Sequence, residues 1–214
     1  MSQLPTIHIW SDIACPFCMI EKKRLFDALP ENSNVVWHSF ILQPDQITDP
    51  EITLLQFLAN SKGWSLEQTA QIQAQVTAMA KADGIEMNMD KVIPANTKRA
   101  HQLIQLHKDL QSVNAVVSKL FDAYFRDGLN IDDLDVLQHI HIQASGKTDA
   151  FDRLNHPEII LQVQQDIQQA NQMGVRGVPF FYFEDHFTIS GAREQEVFRQ
   201  AIAQFSGSGQ SHQA

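Results

Sequence analysis

The chain has 214 residues, a formal net charge of −9 and 43% hydrophobic residues, a composition typical of a folded globular protein. The negative charge argues against nucleic acid as a partner, because phosphate binding needs clustered Lys and Arg. No stretch approaches the ~18 consecutive apolar residues of a membrane span, so we expect no membrane partner.

The segment before residue 7 has neither the basic region nor the apolar region of a secretory signal. We therefore expect a cytoplasmic protein. Cys15 and Cys18 are the only cysteines in the sequence, which is too few for a disulfide framework. A closed zinc site would need two further ligands at short spacing, so we expect no metal site and a redox use of the pair.

The first third of the chain predicts a strand, a helix and a second strand. Residues 7–10 alternate with the period of a strand. Residues 15–29 form a helical run, and Pro16 suits its first turn because the missing N–H has no partner to lose there. Residues 35–42 are rich in β-forming side chains. This order is the beginning of a parallel βαβ unit.

Helical periodicity then dominates up to residue 173. Apolar positions at helical spacing predict six successive helices, over residues 52–58, 66–79, 100–110, 113–125, 134–140 and 160–170. The absence of any strand pattern among them indicates a helical bundle inserted into the βαβ fold.

Strand signals return after Gly174. Residues 178–183 and 186–190 are aromatic and β-prone and predict a hairpin, which a final helix over residues 193–205 follows. The sequence therefore predicts an α/β fold in three parts: a discontinuous domain of residues 1–45 and 174–205, an inserted helical domain of residues 46–173, and a disordered tail of residues 206–214.

The Cys-Pro-Phe-Cys run at the start of a helix is suited to thiol–disulfide chemistry. The helix N-terminus places unpaired N–H groups near the sulfur of Cys15, which favours the nucleophilic thiolate. Cys18, three residues on, is close enough to displace a mixed disulfide formed on Cys15. We therefore expect Cys15, the more exposed thiol, to attack and Cys18, the more buried one, to resolve.

Val178 and Pro179 begin the predicted hairpin and face the first βαβ unit. An X–Pro bond needs only ~0.5–1 kcal/mol to become cis. A cis bond here would turn the backbone of Val178 toward the sulfurs, where an extended thiol substrate could pair with it. The alternative is a trans proline that begins an edge strand.

Four runs carry a resemblance to a known family: SDIACPFC at 11–18, NT and AH within 96–101, GVRGVPFF at 174–181 and ISGA at 189–192. In this order they resemble the DsbA family, in particular its FrnE-like branch. The resemblance implies a thioredoxin-like fold with a large inserted α-helical domain. It also implies a redox-active disulfide at Cys15 and Cys18, no bound cofactor, and a cis proline at Pro179.

The sequence departs from that pattern in two respects. Phe17 stands where this branch often has Trp and periplasmic DsbA has His. Since Phe neither donates a hydrogen bond nor carries charge, we expect a pair less oxidising than that of DsbA. Some members of the branch carry further cysteines near the C-terminus, and this sequence has none, so a relay through a second pair is ruled out.

Three further residues are candidates for supporting roles. Asp12 precedes the active turn and is expected to cap the helix, with proton transfer to Cys18 as the alternative. Arg176 could attract an anionic substrate such as glutathione, and otherwise is a surface residue. His101 is a candidate for the cleft beside the cysteines, and otherwise a structural histidine.

Three functions remain open at this point. The first is a thiol–disulfide oxidoreductase or disulfide isomerase acting on protein or small-molecule thiols and disulfides. The second is a glutathione-dependent enzyme like 2-hydroxychromene-2-carboxylate isomerase or kappa-class glutathione transferase, which typically carry Ser in place of Cys15. The third is a non-enzymatic module that binds clients or metal. The sequence does not separate a monomer from a homodimer.

Overall fold

A four-stranded sheet lies at the centre of the molecule. The computed structural model describes residues 5–31, 33–107 and 109–207. The strands are β1 (Ile7–Ser11), β2 (Val35–Ser39), β3 (Phe180–Phe183) and β4 (Phe187–Ser190), in the spatial order β2-β1-β3-β4. β1 and β2 pair in parallel, and the other two pairs are antiparallel.

Helices surround this sheet. α1 (Pro16–Ala28) joins β1 to β2, and α8 (Gln195–Gly207) follows β4. In the described part of the chain six α-helices lie between β2 and β3, namely α2 (Leu54–Lys62), α3 (Leu66–Ala82), α4 (Lys98–Leu106), α5 (Leu110–Phe121), α6 (Leu134–Ser145) and α7 (Pro157–Gln172). This arrangement confirms the predicted α/β fold class with a helical insertion.

Some predicted boundaries were wrong. Residue 110 does not continue the helix that contains Leu103, because α4 ends at Leu106 and the carboxylate of Asp109 accepts the backbone N–H of Ser112 as the cap of α5. α8 extends to Gly207, beyond the predicted start of the tail at residue 206. The rest of that predicted tail, residues 208–214, lies outside the described residues.

Alternate residues of β1 point to opposite faces of the sheet. Ile7 and Ile9 belong to the main core, which includes the buried face of α1 and the helical insert. Trp10 packs on the other face with Ala170 of α7 and with Val175, which follows that helix. The strand that leads into the active turn is therefore held from both sides.

Asp166 of α7 fixes β2 from the second face of the sheet. Its carboxylate accepts the backbone N–H of Ser39 at 2.8 Å, the side-chain amide of Gln105 at 2.7 Å and Nδ1–H of His38 at 2.9 Å. His38 Nε2 in turn lies 2.8 Å from Nδ1 of His8 on β1. These hydrogen bonds provide the Asp166 carboxylate and the His38 ring with partners. Because buried polar groups need such partners, the network is stable in the interior.

None of the helices in the described ranges is long and apolar enough to cross a lipid bilayer.

Candidate active site

Cys15 and Cys18 occupy the first turn of α1. Cys15 is the N-cap residue, and Pro16 follows at the first helical position, where the sequence predicts it. The backbone N–H of Cys18 donates to the carbonyl of Cys15 at 3.0 Å, which places the second thiol one turn into the helix. Both cysteines are free thiols. Their exposed fractions are 5% for Cys15 and 2% for Cys18, so the expected difference in exposure is small.

The loop before β3 closes over the first thiol. The Val178–Pro179 peptide bond is cis. The Cys15 thiol donates to the carbonyl oxygen of Val178, with 3.6 Å between sulfur and oxygen. A backbone group of this loop thus lies directly against the sulfur that the sequence assigns to attack.

The environment of Cys18 differs from that of Cys15. Burial raises the pKa of the Cys18 thiol well above its usual range, and the neighbouring Cys15 raises it further. Hydrogen bonding from the Ser11 hydroxyl and the Asp12 backbone opposes this rise in pKa. The Ser11 hydroxyl is buried and otherwise has no hydrogen-bond partner in the described structure. Cys18 is therefore held as a protonated thiol at neutral pH.

Asp12 does not cap α1, contrary to the expectation from sequence. Cys15 holds the cap position, and no side chain bonds to the first turn. Asp12 instead accepts the backbone N–H of Ala14 at 3.2 Å and that of Leu42 at 2.8 Å. Its carboxylate thus joins the active turn to the segment after β2. The strand predicted as far as residue 42 ends at Ser39.

The two candidate substrate contacts lie elsewhere. His101 is buried, and its Nε2 lies 3.3 Å from Oδ1 of Asp12. It therefore contacts the active turn from behind instead of lining the cleft. Arg176 is exposed, two residues before Val178, and is not among the described residues that line the cleft.

A cleft of about 350 Å³ opens beside Cys15. Cys15 and Phe17 line it from the active turn, and Leu54, Trp64 and Val76 line it from the helical insert. The sequence analysis missed these insert residues. The available signal was Trp64, a large aromatic residue in a polar run between two predicted helices.

A π-helical turn, Asp122–Arg126, follows α5 and contributes to the same cleft. Such turns are rare in proteins, and those that do occur often lie at functional sites. It places both Tyr124 and Phe125 in the lining. Burial, and secondarily the charge of Asp12, raises the pKa of Tyr124, so its phenol stays neutral near the cysteines.

Two cysteines lie at a helix N-terminus, and a cis-proline loop of a β2-β1-β3-β4 sheet faces them. This arrangement defines the class of thioredoxin-fold proteins with a pair of cysteines. Comparison with known families narrows this class. Residues 6–203 match the family described as DSBA-like thioredoxin domain, and the chain belongs to this family. The predicted family and the thioredoxin-like fold with its helical insertion are thereby confirmed.

Solved structures of similar proteins cover nearly the whole chain. A probable DsbA oxidoreductase from Streptomyces coelicolor is 27% identical, with a TM-score of 0.85 over 98% of this chain and 92% of that one. 2-Hydroxychromene-2-carboxylate isomerase is 16% identical, with a TM-score of 0.72 over 98% and 100% of the two chains. The cytosolic disulfide reductase DsbM from Pseudomonas aeruginosa, solved with glutathione, is 16% identical, with a TM-score of 0.67 over 93% and 98%. At 16% identity the last two show a shared fold alone.

Proposed function

We propose that this protein is a thiol–disulfide oxidoreductase in which Cys15 attacks and Cys18 resolves. One observation carries the proposal: Cys15 lines the cleft and contacts the Val178 carbonyl, whereas Cys18 lies one turn deeper with a raised pKa. The sulfur that borders the cleft and the sulfur that lies deeper thus belong to different residues, as a two-step exchange requires.

The two protein thiols are sufficient to reduce one substrate disulfide. The Cys15 thiolate attacks one sulfur of a substrate disulfide, and the substrate S–S bond breaks as the leaving thiolate takes up a proton. Cys18 then loses its proton and attacks the Cys15 sulfur, which releases the second substrate thiol. The substrate gains two electrons, and the protein is left with a Cys15–Cys18 disulfide that an external thiol must reduce.

The neighbouring residues support this exchange. Pro16 and Phe17 separate the cysteines and fix their spacing, while Asp12 anchors the turn. The backbone of Val178, next to Pro179, offers an extended substrate a partner for hydrogen bonding beside Cys15.

We further propose a FrnE-like, cytoplasmic enzyme that uses glutathione as its reducing co-substrate. A cytosolic relative of the same fold has been solved with glutathione, and the cytosolic glutathione pool keeps most thiols reduced. In this setting the pair would act as a reductase or isomerase on protein or small-molecule disulfides.

Insulin reduction and refolding of scrambled ribonuclease test the proposal. The wild-type protein is expected to be active in at least one assay with glutathione as reductant, and Cys15→Ser is expected to lose that activity. Equal activity of the two proteins would remove Cys15 from the mechanism.

A glutathione-dependent isomerase is the second candidate, because the cleft beside Cys15 is mainly apolar and the fold is shared with 2-hydroxychromene-2-carboxylate isomerase. The two candidates differ in their need for Cys18. Turnover of an aromatic substrate with glutathione that survives Cys18→Ser would favour the isomerase. Loss of all activity in that variant would favour the dithiol mechanism.

A further inference from the structure

The cleft beside Cys15 has the dimensions of a small-molecule site. Its volume of about 350 Å³ lies at the lower end of the ~300–1,000 Å³ typical of ligand pockets. The buried side chains of Leu54, Val76 and Phe125 give it an apolar interior. A ligand that reaches Cys15 through this cleft must therefore present an apolar body.

The mouth of the cleft is also apolar. Trp64 is 40% exposed, and Leu42 and Ile72 are exposed to a similar degree. All three belong to the cleft lining, so they form one surface with the interior. Large apolar side chains that stay exposed next to a cavity mark a binding site more often than isolated ones do.

Lys62 and Gln73 are polar lining residues with groups that have no partner in the described structure. Lys62 is the one cation among the described lining residues, and no described carboxylate pairs with it. The side-chain amide nitrogen of Gln73 is buried and has no acceptor within the described structure. By contrast, both carboxylate oxygens of Asp12 accept backbone N–H groups. The unmatched groups are thus a positive charge and a donor, which complement an anion.

We propose that this cleft selects a small thiol or disulfide whose apolar body ends in one carboxylate, which pairs with Lys62. The inference rests on the proposed function, since Cys15 is taken as the reacting sulfur. Glutathione, a polar tripeptide with two carboxylates and an ammonium group, matches the apolar interior less well.

When the substrate of this class is a dithiol, it reacts with the oxidised form of the protein, which carries a Cys15–Cys18 disulfide. A substrate thiolate attacks the Cys15 sulfur, the Cys15–Cys18 bond breaks, and Cys18 leaves as a thiolate that takes up a proton. The second substrate thiol loses its proton and attacks the substrate sulfur of the mixed disulfide, which releases Cys15. The substrate is oxidised to a disulfide by two electrons, and the protein is reduced to its dithiol.

Dihydrolipoate and dihydrolipoamide are matched probes, because they share the dithiol and the apolar chain and differ in the carboxylate. Single-turnover reduction of the oxidised protein is followed at low salt by quenching with an alkylating reagent and mass spectrometry. The rate with dihydrolipoate is divided by the rate with dihydrolipoamide. The same ratio, measured with hydroxyethyl disulfide in place of the protein, corrects for any intrinsic difference in reactivity between the probes. The wild-type protein is expected to favour the acid by roughly two- to fivefold, the effect of one partly exposed ion pair.

The variants separate the cleft from general charge effects. Lys62→Gln is expected to abolish the preference for the acid, and Trp64→Ala to slow both probes alike. Lys147→Gln, which removes an exposed lysine outside the cleft lining, is expected to keep the preference.

No preference in the wild-type protein, or the same preference in Lys62→Gln, would overturn the inference. An equal loss in Lys147→Gln would also overturn it, because the effect would then come from net charge. Dithiothreitol separates this failure from failure of the proposed function. If dithiothreitol reduces a Cys15–Cys18 disulfide while the acid has no advantage, only the substrate class is wrong; if that disulfide cannot be formed, the dithiol mechanism itself is wrong.

Discussion

Asp12 and His101 form a buried pair that joins the active turn to the helical insert. Nε2 of His101 on α4 lies 3.3 Å from Oδ1 of Asp12, and each side chain is 1% exposed. Nδ1 of His101 has no partner in the described structure, so the tautomer with hydrogen on Nε2 satisfies the contact. The pair links the position of the cysteines to the packing of α4.

The first prediction concerns this pair. His101→Leu removes the donor to Asp12 and leaves a buried carboxylate oxygen with one partner fewer, so we expect a loss of about 1–3 kcal/mol in the free energy of unfolding. Chemical denaturation measures it. His101→Gln, which can still donate from its amide, is expected to recover part of the loss. If His101 only stabilised α4, His101→Leu would lower the stability and leave the alkylation rate of Cys15 unchanged. We expect both the stability and the alkylation rate to change.

The second prediction separates the roles of the two thiols. Cys18→Ser leaves the attacking sulfur but removes the group that resolves the mixed disulfide. We expect this variant to accumulate a covalent adduct with a disulfide substrate through Cys15, visible by mass spectrometry without reductant. Cys15→Ser should form no such adduct under the same conditions. Adducts of equal yield on both variants would contradict the assignment.

The third prediction concerns the residue between the cysteines. Phe17 offers no hydrogen bond to stabilise a thiolate, so we expect a reduction potential more negative than the ~−120 mV of DsbA. Phe17→His would stabilise the reduced form and should raise the potential by about 30 mV, which corresponds to ~1.4 kcal/mol. Equilibration with glutathione redox buffers measures both values. Phe17→Leu is the control and should stay near the wild-type potential.

The fourth prediction concerns stability in acid. Burial, and secondarily His141, lowers the pKa of His107 to about 4. The unfolded chain, with a His pKa near ~6.5, then binds more protons than the folded chain between these values. Stability should therefore be complete above pH ~6.5 and fall as the pH drops toward 4. Because His107 is only half-buried, its share is about 1–2 kcal/mol.

Thermal unfolding across this pH range checks the effect. His107→Asn should show a shallower loss of stability between pH 6.5 and 4 than the wild-type protein. His139→Asn, an exposed histidine on α6, should follow the wild-type curve. A His107→Asn curve parallel to wild type would contradict the assignment.

Local patterns in the sequence predicted the placement of Cys15 and Cys18 at the start of a helix and the order of the elements. The spacing of Cys15 and Cys18 at a helix start and the position of Pro179 before a strand are short-range signals. Such signals are reliable because the conformation of a turn or a helix start depends on residues that are close in sequence.

Residues that depend on distant parts of the chain were harder to predict. Asp12 was assigned to the helix it precedes, but its partners Leu42 and His101 come from the segment after β2 and from α4. Lys62 and Trp64 reach the cleft only because α2 and α3 fold over the active turn. No short-range pattern encodes that approach, and the apolar spacing of those helices describes their own packing alone.

Limited alkylation of the reduced protein near pH 7 tests the central claim most directly. A substoichiometric amount of iodoacetamide is added, and peptide mapping gives the modified fraction at each cysteine over time. The account predicts that Cys15, which lines the cleft, is modified at least about tenfold faster than Cys18, whose burial raises its pKa. Equal modification of the two cysteines, or faster modification of Cys18, would contradict the assignment of attacking and resolving thiols.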